Sequence, residues 1–154
     1  MSTASSPAWA SIRVGDTVPP LDVPLTATRI VAGAIASRDF MPVHHSTTYA
    51  KQQGAPDIFM NILTTNGYVA RFVTDWAGPE ARLTNISIRL GAPAIPNTTL
   101  RFTGEVVRTE AVAEGTDGAD DTDGTAEGEV EVTLRGVTEL GEHVSGTVRL
   151  RLPR

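Results

Sequence analysis

The stretch DIFMNILTTNGYVARFVTDW, residues 57–76, decides the fold. Ile58, Ile62, Val69, Phe72 and Trp76 recur at helical spacing on one side, with Asn61, Thr64, Tyr68, Arg71 and Asp75 nearly opposite. A second apolar row of Phe59, Leu63, Ala70 and Val73 makes the apolar face wider than that of an ordinary surface helix. The spacing therefore predicts a helix over about 57–76 with most of its surface wrapped by other structure, Trp76 serving as a core or interface anchor. Gly78 and Pro79 stop it.

The chain beyond this helix reads as strand. The segments 82–91, 98–112, 128–140 and 142–152 are rich in β-branched residues, and Val130, Val132 and Leu134 alternate with polar neighbours, as do Val148, Leu150 and Leu152. The elements before the helix are shorter. TRIVAGAIA, residues 28–36, reads as the first strand, and the prolines of VGDTVPPLDVPLT suit a sheet edge or an extended lead-in. Ser46, Thr47 and Thr48 are placed to cap a short helix ending at Gly54, and the polar start through Ser11 reads as frayed. One helix with so wide an apolar surface, followed by four antiparallel strands, gives an α+β class: a single hot-dog domain over 1–154, its antiparallel sheet curled around one central helix.

At 154 residues and 40% apolar content, one domain with a real core is expected. The net charge of -5 is concentrated in EGTDGADDTDGTAEGE, residues 114–129, which holds seven acids and no base. The tract reads as a long solvated hairpin loop, and it lacks the terminal glutamate of a calcium loop, so no metal is expected there. The remainder carries 13 bases against 11 acids, and its arginines are scattered without interleaved aromatics, so no nucleic-acid partner is expected. With no cysteine there is no thiolate chemistry to propose. No apolar run of membrane-spanning length and no secretory pattern is present, which makes a cytoplasmic location the default expectation and a membrane partner none.

RDFMPVHH, residues 38–45, is the chemically dense segment. Pro42 forces a turning path between Asp39 and His44, so a carboxylate and an imidazole can converge on one water, a pair suited to adding or removing it. On spacing alone such a pair is more often a cap or a surface hydrogen bond. Its place just before the amino end of a long helix, where unpaired N–H groups can stabilise an oxyanion, favours the catalytic reading.

DFMPVHHSTTYA resembles the signature of MaoC-like, (R)-specific enoyl-CoA hydratases at Asp39, Pro42, Val43, His44 and Ala50. The resemblance implies that Asp39 and His44 together activate the water added across an enoyl thioester, with His45 outside the motif. Met41 stands where the signature has Asn, Arg38 where it has a small or acidic residue, and Phe59-Met60-Asn61 where it has HGM. The Met60 backbone N–H is the expected donor to the thioester oxygen, with Phe59 beside it as a substrate contact.

RDFMPVHH, DIFMNILT, VTDWAGP and IRLGAP together resemble the small subunits of heteromeric enoyl-CoA hydratases of bacterial steroid side-chain degradation. This implies a steroid acyl-CoA thioester as substrate, a larger MaoC-like subunit as partner in a hetero-oligomer, a role in cholesterol catabolism, a downstream aldolase, and no cofactor. The alternatives are a 3-hydroxyacyl-ACP dehydratase subunit, a hot-dog thioesterase using Asp57 or Asn61, and a non-catalytic structural subunit.

Overall fold

The computed structural model describes residues 6–112 and 127–153. Five strands, β1 (Thr17–Pro24), β2 (Arg82–Leu90), β3 (Thr99–Ala111), β4 (Glu127–Thr138) and β5 (Gly141–Pro153), form one antiparallel sheet in the order β1-β3-β4-β5-β2. Three helices join them: α1 (Ala27–Ala36), α2 (Thr47–Gln52) and α3 (Ile62–Ala77). The acidic tract lies outside the described residues except for 127–129, which belong to β4; Val112 N–H donates to Glu127 C=O at 3.0 Å where β3 and β4 approach it.

The alternation read in β4 holds: Val130, Val132 and Leu134 point inward, while Glu131 faces out and pairs with Arg149 across the strand. The inward residues meet α3 through Val69, Phe72, Val73 and Ala77, all fully buried. Phe72 stacks on Phe102 of β3 with ring centroids 5.8 Å apart. Each such side chain removed from water contributes about 1.5–3 kcal/mol, so this contact plane, not helix propensity, holds α3 in place.

Four expectations need correction. Residues 28–36 are helix, not strand: Thr26 Oγ1 accepts the Arg29 N–H at 3.1 Å, and Ile30 and Ala34, four apart, are the residues α1 buries. The first strand is instead the proline-rich lead-in, β1, whose pairing with β3 slips between Val18 and Leu21, around Pro19 and Pro20. The long helix begins at Ile62, not 57, because the Phe59 and Met60 amides are drawn to carbonyls of other segments, Val43 and Ala94. Ile62 and Leu63, expected inside, are about half exposed, and Asn61, placed on the polar side, is 2% exposed. Residues 6–11 are tied down rather than frayed: Ser6 Oγ accepts the Glu80 N–H at 2.9 Å, and Trp9 lies on Gly128, where an added Cβ would come within 2.2 Å of the indole.

The two edges of the sheet differ. β1 lacks N–H donors at Pro19, Pro20 and Pro24, whereas β2, RLTNISIRL, carries no proline and is largely exposed. Among the described residues no helix is long and apolar enough to cross a membrane.

Candidate active site

Asp39 owes its direction to the end of α1. Asp39 N–H donates to Ala34 C=O at 2.9 Å and Arg38 N–H to Ile35 C=O at 3.0 Å, the paired bonds of a Schellman cap. Such a cap needs a left-handed residue, and Arg38 adopts φ 58° where glycine is the usual occupant. The chain reverses there and aims the Asp39 carboxylate back toward the start of α3.

His44 is set by Pro42. Met41 takes the extended conformation required before a proline, and Pro42–His44 form one 3-10 turn with Pro42 at its start. Ser46 then caps α2 by accepting the Tyr49 N–H. The His44 ring is buried, its Nδ1 lies 2.7 Å from Phe59 C=O, and the Phe59 ring meets it edge-on at 5.2 Å. A carbonyl can only accept, so Nδ1 carries a proton, and Nε2 is the ring nitrogen turned toward Asp39. Nε2 lies 3.2 Å from Asp39 Oδ2.

The sequence reading of the hydratase site missed Asn61. Its Nδ2 donates to Asp39 Oδ2 at 3.0 Å and to Ser37 Oγ at 2.8 Å, while its Oδ1 accepts the Thr64 N–H at 3.0 Å as the cap of α3. Asp39 Oδ1 accepts the Met41 N–H at 3.3 Å. The hydrogen bond from Asn61 is the main influence holding the Asp39 carboxyl below its usual range; partial burial opposes it, and the Met41 amide and the facing His44 add to it. An asparagine just ahead of the helical run was the available signal.

Two bases thus point at one place beside a helix amino end. A water donating one proton to Nε2 and the other to Oδ2 would turn its lone pairs outward, toward an electrophile.

The family described as MaoC like domain matches residues 11–128. This chain belongs to the MaoC-like family. It is 42% identical over 139 residues to the Mycobacterium tuberculosis 3-oxo-4,17-pregnadiene-20-carboxyl-CoA hydratase beta subunit, covering 90% of this chain and 95% of that one. Among solved structures it is similar to a chain of the ChsH1-ChsH2 complex from Mycobacterium tuberculosis, with TM-score 0.77, 41% identity, and coverage of 91% and 98% of the two chains. An A. caviae (R)-hydratase involved in PHA biosynthesis superposes with TM-score 0.74 at 18% identity, covering 93% of this chain and 98% of that one, a likeness of fold.

Against the MaoC-like signature, one expectation changes. Met60 N–H donates to Ala94 C=O at 2.9 Å and the residue is 1% exposed, so that amide is not free for a thioester oxygen. The Thr64 amide is taken by Asn61 Oδ1 and the Thr65 amide by Asn61 C=O, which leaves Ile62 and Leu63 as first-turn donors without an intrahelical acceptor. Phe59 orients His44 through its carbonyl and ring. Met41, in place of the signature Asn, turns its side chain outward at 49% exposed and serves Asp39 through its backbone. His45 sits at the surface, its Nε2 3.2 Å from Phe40 C=O. Asp57, considered for thioesterase chemistry, instead accepts from Thr47 Oγ1 and the Ile58 amide, both at 2.7 Å, and those bonds, Thr47 foremost, lower its pKa.

Proposed function

We propose that this MaoC-like chain is the Asp/His-bearing subunit of an enoyl-CoA hydratase, acting on a steroid side-chain enoyl-CoA together with a larger MaoC-like partner subunit. The observation that carries this reading is the 3.2 Å approach of His44 Nε2 to Asp39 Oδ2 at the amino end of α3. His44 Nε2 takes a proton from water held between the two groups, the hydroxyl adds to the carbon β to the thioester, and the proton is returned to the α carbon. The charge that develops on the thioester oxygen meets the amides of Ile62 and Leu63 and the positive end of the α3 dipole.

A groove of about 780 Å³ between α1 and α3, lined in part by Gly33, Ser37, Leu63, Thr64 and Tyr68, opens beside Asn61's partner Ser37 and supplies room for a bulky acyl group. The 42% identity to a subunit named for a pregnadiene-carboxyl-CoA supports the steroid class. The likeness to a chain of the ChsH1-ChsH2 complex supports the partner. In such a substrate the double bond is conjugated to the thioester, and water added at the ring carbon gives a tertiary β-hydroxy thioester, which is what an aldolase cleaves. A downstream aldolase, a role in cholesterol catabolism and a cytoplasmic location belong to the same proposal.

The test is hydration of a steroid 17(20)-enoyl-CoA by the complex co-purified with this chain. Asp39→Asn and His44→Ala should each lower kcat about 10²-fold to 10⁴-fold with assembly intact. Near-normal turnover by both variants would end the proposal.

A further inference from the structure

His143 is a buried titratable side chain for which the reaction has no use. It sits at a β-bulge: Gly136 of β4 pairs with Val144 and Val137 with Glu142, so His143 has no opposite residue, and both His143 and its neighbour Val144 are buried. A bulge re-aims one side chain, and this one sends the imidazole beneath the first turn of α3.

There it makes two bonds. His143 Nδ1 lies 2.8 Å from Ala92 C=O, which can only accept, so Nδ1 is protonated; Nε2 lies 2.9 Å from Thr65 Oγ1. Burial, only partly opposed by the Ala92 carbonyl, lowers the His143 pKa, and Thr65 Oγ1, whose one proton is shared between two acceptors, lies 2.9 Å from His143 Nε2 and 3.1 Å from Asn61 C=O, tying the ring to the 59–61 segment. The ring is then a strut between α3 and the loop leaving β2. That loop also carries Ala94, whose carbonyl takes the Met60 N–H, and Thr65 N–H in turn holds Asn61 C=O at 3.1 Å.

Residues 59–61 therefore hang from the two segments that His143 joins. They also hold both reactive groups: Phe59 C=O orients His44, and Asn61 Nδ2 holds Asp39. Apolar side chains of similar shape would fill the same space without burying a polar pair; what His143 and Thr65 add is direction.

We infer that His143 and Thr65 are positioning residues for the dyad, acting through the 59–61 segment and chiefly through Asn61 on Asp39. This rests on the proposed hydration for its kinetic readout but not for its structural one.

The experiment uses Thr65→Val, Thr65→Ser, His143→Asn and Asn61→Ala, with Thr65→Val also placed in the Asn61→Ala background. Turnover is measured in the complex, and the Asp39 carboxyl is titrated by ¹³C NMR without substrate. Thr65→Val and His143→Asn, which keeps the Ala92 bond and loses Thr65, should lower kcat about 10-fold to 100-fold, the scale of a misplaced catalytic group. KM should stay within about twofold, because the groove is untouched. The Asp39 titration and the acid limb of kcat/KM should move to higher pH, since the donor that depresses that carboxyl is displaced. Thr65→Ser should restore both. Thr65→Val should add no further loss to Asn61→Ala.

Wild-type kcat with an unmoved Asp39 titration in both Thr65→Val and His143→Asn overturns the inference, as does a fully additive loss in the Asn61→Ala background. Should the wild-type complex hydrate no enoyl thioester while Thr65→Val still shifts Asp39, the proposed function fails and the positioning stands. Normal hydration with Asp39 unmoved removes the positioning alone.

Discussion

Replacing Asn61 by aspartate changes almost no volume and inverts one interaction. Nδ2, now a donor 3.0 Å from Asp39 Oδ2, becomes a carboxylate oxygen at the same distance. The lost charge-assisted bond is worth about 1.5–3 kcal/mol. Two unit charges about 3 Å apart repel by roughly 1.4 kcal/mol in bulk water and about 5 kcal/mol at an effective dielectric of about 20, and Asp39 lies between these limits with its side chain 27% exposed. The pair escapes by keeping one proton between the two acids, as close carboxylates do. Asp39 then stops being a free base near pH 7. Asn61→Asp should lower kcat/KM at pH 7 by 10²-fold or more and recover part of it as pH rises and the shared proton leaves. The cap to the Thr64 amide survives, since a carboxylate is as good an acceptor there and suits the helix dipole, so the urea midpoint should move little. Asn61→Ser is the companion: it too can cap, but is too short to reach Asp39, and should cost turnover without the pH recovery. The assay is a pH profile of kcat/KM alongside urea denaturation. A wild-type profile for Asn61→Asp would refute the claim that Asn61 sets the state of Asp39.

Arg38→Gly relieves a left-handed non-glycine residue and should raise stability by up to about 1 kcal/mol with turnover retained, whereas Arg38→Val should destabilise by more than that and impair turnover, both read from denaturant midpoints and kcat. An added side chain at Gly33 begins 2.4 Å from Thr64 Oγ1, so Gly33→Val should cost about 1–3 kcal/mol by pushing α1 off α3, with partial rescue by Thr64→Ala in the same denaturation assay. His143 has a folded pKa below its ordinary 6.5, so the unfolded chain binds a proton first on acidification: its contribution is whole above about pH 6.5, declines as pH falls toward the folded value, and levels off beneath it. His143→Asn should flatten that part of the stability profile, and an unchanged slope between pH 7.5 and 5 would contradict the neutral buried ring.

The sheet and the central helix were legible because their signals are local and long. Burial alternates along the whole of β4, Val130 to Leu134 included, and Thr65, Val69, Phe72, Val73 and Ala77 recur over about three turns of α3, so packing confirms what period alone predicts. Over the nine residues 28–36 the two periods are harder to separate: Ile30, Val31 and Ile35 favour a strand by type, while burial four apart at Ile30 and Ala34 is the helical fact. The dyad was visible as a motif, and what holds it was not. The Ala94 carbonyl that takes the Met60 amide lies 34 residues along the chain, and nothing local announces it. The Schellman cap was masked because Arg38 occupies the place of its glycine. His143 escaped because a bulge shifts the inside-outside parity of β5 at that point.

The unequal rims of the sheet set an upper bound on growth. A rim studded with three prolines cannot donate a full ladder, so another chain adding along β1 would leave carbonyls without donors; β2 offers the complete row. A body with one sticky side and one blunt side behaves like a terminated monomer in polymer chemistry: two such units joined at their sticky sides expose only blunt ends. Recruitment by strand addition therefore halts at a pair, and fibre formation by the same route is closed off by the composition of the lead-in.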